Sequence, residues 1–187
     1  MFVSKFKKGF TLAEILVTLM IVGVIAALAV PSLINDTQET EFKVSLKKSV
    51  AVLNQALTMS MGQDNTDASS ATTASGLMNI FSSKLNVIKT DFSNNMLTTV
   101  DGIQFTFYNS SGTSCDSSTT TEADKDVIGT ANCAILVDTN GEKNPNVLSS
   151  GGHFKDQYYL IVRAKTVIPA KTSTTPDDDM AQQAMYK

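Results

Sequence analysis

The stretch KKGFTLAEIL, residues 7–16, opens onto the run that decides the fold. From Ile15 to Asn35 the chain reads ILVTLMIVGVIAALAVPSLIN, 21 residues without a charge. As a helix at ~1.5 Å per residue this run is about 31 Å long, close to the ~30 Å hydrocarbon thickness of a bilayer. Lys5, Lys7 and Lys8 precede it, and Asp36, Glu39 and Glu41 follow. The positive-inside rule orients the N-terminus to the cytoplasm and the remainder of the chain outside. Glu14 does not fit a plain anchor. A carboxylate well inside a membrane helix costs roughly 2.5–3.5 kcal/mol on insertion scales, so such a residue normally has a partner or a task.

The rest of the composition narrows the function classes. At 187 residues the chain is one domain's worth. A net charge of −3 gives no reason to expect nucleic-acid binding by the whole chain. Tryptophan is absent and His153 is the single histidine, so histidine catalysis and multi-histidine metal sites have nothing to work with. No set of nucleophile, base and orienting group is in view, and no enzymatic activity is expected.

Three readings compete for the N-terminus. A plain signal anchor is the simplest. A cleaved secretory signal would use Ala27-Leu28-Ala29 as its cut site and release a secreted binding protein beginning at Val30. Neither accounts for Glu14. The third rests on KGFTLAE, residues 8–14, which resembles the prepilin-type signal of type IV pilins and the pseudopilins of type II secretion. The resemblance is dense over residues 5–35 and thins toward residue 60. It implies cleavage between Gly9 and Phe10 by a prepilin peptidase, N-methylation of Phe10, and Glu14 as fifth residue of the mature chain. Pro31 becomes the twenty-second, where the family often has a helix-distorting proline, and Pro31 is expected to kink the helix. The new α-amine on Phe10 is mostly cationic near its ordinary pKa of about 8. Glu14 of one subunit is then expected to neutralise the amine of its neighbour and to set their register in a filament.

Beyond Asn35 the helix continues. Phe42, Leu46, Val50, Leu53 and Leu57 recur at steps of four, four, three and four, the apolar stripe of an amphipathic helix reaching about Met61. A polar loop (residues 62–76) leads to GLMNIFSSKLNVI, read as a short second helix through Leu77, Ile80, Phe81, Leu85 and Ile88. Three strands are expected at residues 102–108, 134–137 and 157–164. The fold class is α+β, a long N-terminal helix, transmembrane and then amphipathic, packed on a small antiparallel sheet of three or four strands. The expected organisation is a cleaved basic leader (1–9), a transmembrane assembly helix (10–35), its amphipathic continuation (36–61), an extracytoplasmic globular domain (62–171) and a mobile polar tail (172–187).

Cys115 and Cys133 fall outside the cytoplasm in this topology and are expected to form a disulfide. The bridge would bound an acidic loop bearing Asp116, Glu122, Asp124 and Asp126. In DTNGEKNPN (138–146), Asp138, Asn140 and Glu142 place oxygen donors at alternate positions, as calcium prefers. The spacing is not that of an EF-hand, and an Asn-Gly, Pro-Asn turn explains the same residues without a metal. No other cofactor is expected.

The resemblance implies a filament-forming structural subunit, with a secretion pseudopilin and a minor or DNA-uptake pilin as alternatives. Its partners would be other subunits through the N-terminal helix, the prepilin peptidase, the inner-membrane assembly platform and the lipid bilayer. The precursor would be a single-pass inner-membrane protein, destined for a periplasmic or cell-surface filament.

Overall fold

The computed structural model of the protein describes residues 9–110, 112–115, 131–150, 154–171 and 179–186. Contacts divide the chain into two compact units, Met1–Gln38 and Glu39–Lys187. Helix α1 (Leu12–Asp64) contributes residues to both, and its helical backbone runs through Gly23 and Pro31.

In the first unit, every large apolar side chain of α1 from Leu12 to Ile34 is exposed, Met20 by 73% and Leu28 by 77%. By length and composition α1 is apolar enough near its start to cross a membrane.

The second unit uses its share of α1 in the opposite way. Leu46, Leu53 and Leu57 are fully sealed, Val50 is buried beside them, and Phe42 packs on the same cluster. This is the stripe the spacing predicts. The helix ends at Asp64, three residues beyond the expected Met61. Lys84 there pairs with Asp64 at 2.8 Å.

A 3-10 turn (Ala68–Ser70) and helix α2 (Ala74–Ser82) follow, α2 capped by Thr73, whose Oγ accepts from the Gly76 N–H at 3.0 Å. The second helix is shorter than its apolar spacing suggests. It stops at Ser82, and Val87–Asp91 forms strand β1 instead. Val87 and Ile88 therefore belong to a β pair, not to a helix face, and Ile88 is exposed.

Five more strands complete the sheet: β2 (Met96–Thr99), β3 (Gln104–Asn109), β4 (Cys133–Asp138), β5 (Gln157–Arg163) and β6 (Thr166–Pro169). Every neighbouring pair is antiparallel and the order is that of the chain, a six-stranded meander where three or four strands were expected. Alternation places Phe105, Phe107, Ile135, Val137, Tyr158, Leu160 and Val162 in one core with Leu46, Leu53 and Leu57. The Phe81 ring of α2 lies 5.5 Å from that of Phe107.

One polar side chain ties α1 to the last strand. Asn54 Nδ2 donates to the Val167 carbonyl (2.8 Å), and its Oδ1 accepts from the Val167 N–H (2.9 Å) and the Thr166 hydroxyl (3.1 Å). The amide behaves toward β6 as a neighbouring strand would.

The tail differs from the expectation of mobility. Met180–Tyr186 forms helix α3, with Met180, Ala181 and Ala184 buried, because these apolar residues share one helix face and the two alanines join the hydrophobic core. Residues 172–178 of that tail lie outside the described residues. Cys115 and Cys133 are joined, with Cα atoms 5.3 Å apart and both residues buried. Closing a loop of this size is worth about 3 kcal/mol in the chain-entropy model. The acidic residues of that loop, Asp116, Glu122, Asp124 and Asp126, and His153 lie outside the described residues.

Candidate functional site

The start of α1 carries the residues that the sequence singles out. Gly9 and Phe10 precede the helix and are not helical, and Phe10 is 84% exposed. A Cβ built at Gly9 would meet no atom within 4 Å. Nothing among the described residues requires glycine there.

Thr11 and Glu14 are joined reciprocally. The Thr11 N–H and hydroxyl both donate to Glu14 Oε2 at 2.8 Å, and the Glu14 N–H donates back to Thr11 Oγ at 3.3 Å. The first backbone bond of the helix follows, from the Ile15 N–H to the Thr11 carbonyl at 3.2 Å. This is a capping box, in which an N-cap Thr and a Glu three residues later satisfy two otherwise orphaned helix-start donors. This local role of Glu14 is separate from the pairing with a neighbouring subunit that its charge suggests. The signal was present as T-x-x-E ahead of an apolar run.

The loop at residues 138–146 is held by protein donors. Asp138 is buried at the end of β4; its Oδ2 accepts from Gln157 Nε2 at 2.9 Å and its Oδ1 from the Asn140 N–H at 3.3 Å. With its amide turned to suit its neighbours, Asn146 donates to Asp138 Oδ2 (3.0 Å) and to the carbonyls of Gly141 (2.8 Å) and Lys143 (3.0 Å). The backbone N–H groups of Asn146 and Val147 donate to the fully buried Asp156. Burial, and next the charge of Asp156, push the Asp138 carboxyl above its ordinary range against the opposing bond from Gln157. Asn140 Nδ2 donates to the Asn144 carbonyl, and the exposed Glu142 pairs with Lys89 at 3.1 Å. Among the described residues no three His, Cys, Asp or Glu side chains are grouped as metal ligands. Gly141, at φ +69°, sits where a Cβ would clash with the Gly102 carbonyl oxygen. The loop's glycine thus answers a close backbone approach between two turns.

No curated protein and no solved structure matches the chain. Residues 4–30 match the family model described as the prokaryotic N-terminal methylation motif, which spans Gly9, Phe10, the Thr11–Glu14 box and most of the apolar run. The chain carries the prepilin-type signal of type IV pilins and pseudopilins, and this supports a type IV pilin-like or pseudopilin precursor.

Proposed function

We propose that the protein is a filament-forming structural subunit of the type IV pilin kind, cut between Gly9 and Phe10 and assembled through the start of α1. The observation that carries this reading is the methylation motif at residues 4–30, continuous with a helix whose apolar side chains are exposed from Leu12 to Ile34. A glycine that nothing among the described residues requires is also what an external peptidase would select.

The mechanism follows from charge and solvent. Cleavage on the cytoplasmic side removes the basic leader and keeps the apolar helix in the bilayer. The Phe10 amine, methylated or not, remains chargeable, and Glu14 of a neighbour offers the counter-charge in an apolar setting. Lipid and neighbouring helices are interchangeable solvents for the exposed apolar side chains, so the same segment serves as anchor and as filament core. The partners in this scheme are the prepilin peptidase, the inner-membrane assembly platform and further pilin-type subunits.

Intact-mass spectrometry of membrane-extracted protein tests it. Removal of nine leader residues leaves 178 of 187, beginning at Phe10 and carrying one added methyl group. A chain beginning at Val30 would falsify the reading in favour of a secreted protein.

A further inference from the structure

The capping box does more than satisfy two donors: it fixes where α1 begins. Helix starts with Leu12, Thr11 is the flanking cap, and the Gly9–Phe10 peptide lies outside the hydrogen-bonded turns. We propose that Thr11 is a positioning residue for leader removal, because its cap keeps the Gly9–Phe10 peptide out of the helix and open to a peptidase. The inference rests on the reading that this bond is the one cut.

Hydrolysis adds water across that bond, leaving a carboxylate on Gly9 and an amine on Phe10. The attacking water must reach the Gly9 carbonyl carbon, which a helical turn would crowd and hydrogen-bond. When opening is fast relative to cutting, cleavage follows the population of the open form. The sequence offers few other stops upstream. Lys7, Lys8 and Phe10 cannot cap, and the remaining candidates are Gly9 itself and Ser4. A helix that restarted from either one would draw the scissile peptide into its first turns. Thr11 is thus the last residue that can cap the helix while leaving that peptide outside it.

The experiment follows conversion of full-length precursor to mature chain in membranes that also contain the prepilin peptidase, by mass over time. Thr11→Ala removes the cap and favours helix, shifting the ratio of open to helical start about fivefold, and should slow conversion measurably, by up to that factor. Thr11→Ser and Thr11→Asn restore a capping oxygen and should convert within about twofold of wild type. Thr18→Ala, at a threonine whose hydroxyl donates to the Ile15 carbonyl within the helix, is the control and should convert normally. Wild-type rates in Thr11→Ala, or equal slowing in Thr11→Ser, would overturn the proposal while leaving the cleavage site intact. A wild-type chain that is not cut after Gly9 overturns both this proposal and the functional reading beneath it.

Discussion

Two stretches of one helix, residues 12–34 and 46–57, are similarly rich in Leu, Val and Ala and meet opposite ends. In the second, Leu46, Leu53 and Leu57 have no exposure at all, because strands β3 and β5 contribute Phe105, Phe107, Leu160 and Val162 to the same core. In the first, all large apolar side chains are exposed. The difference lies in patterning. The later stretch interleaves Lys47, Lys48, Asn54 and Gln55 with its apolar stripe, so a single face is left to bury. The earlier one is apolar all round, and such a helix is satisfied only by lipid or by other helices.

The largest expected effect tests what covers the first stretch. Glu14→Gln keeps the shape of the side chain and, as glutamine also completes a capping box, keeps the helix start. It removes the charge. If Glu14 neutralises a neighbour's amine, losing one partner of a buried pair costs about 3–5 kcal/mol, so incorporation into sheared filaments should fall a hundredfold or more against membrane-borne protein. An unchanged ratio would break the assembly role and leave the capping box as the purpose of Glu14.

The next test sharpens the comparison directly. Leu53→Ala should lower the unfolding free energy of the detergent-solubilised chain by about 2–5 kcal/mol, the usual cost of truncating a sealed leucine. Leu16→Ala, an identical change in the exposed stretch, should fall within about 0.5 kcal/mol of wild type in the same denaturant titration. Equal losses would mean that the two stretches share one core.

The smallest effect concerns pH. Burial raises the Asp138 carboxyl above its unfolded value, so the folded state holds its proton more tightly. Its stabilising contribution is complete below the unfolded pKa of about 3.9 and is lost as pH rises through the higher folded value. Asp138→Asn should therefore narrow the difference between unfolding midpoints measured at about pH 4 and pH 7. A difference as wide as in wild type would show that other groups set it.

The sequence made the long helix, the core stripe and the cysteine pair legible, since spacing and charge alone determine them. Strands β3, β4 and β5 were visible through alternating or continuous apolar residues. The missed strands each lacked one ordinary signal. Strand β1 begins at Val87, inside apolar residues that happen to recur at helical steps. Strand β2 has four residues, too few to show a period. Strand β6 follows β5 across Ala164-Lys165, a two-residue connection without the Gly or Asn that marks most tight hairpins, and it ends in Pro169. At the helix start, Gly9, Phe10 and Glu14 stood out, but Thr11 did not. A capping box is short and common, and the charge of Glu14 points first to a counter-charge rather than to a backbone donor.

The Asn54 clamp bears on how the sheet ends. A sheet grows by offering its outermost N–H and C=O groups to a passing strand. At Val167 both groups are already bonded to a side chain of the same molecule, so β6 is a closed end for templated growth. Among the described residues the β1 side of the ladder is left to recruit, and there the Lys89–Glu142 ion pair puts charged groups in the path of an incoming strand. If the proposed assembly through α1 holds, the chain would polymerise through one helix while β6 closes one edge of its sheet to the same process.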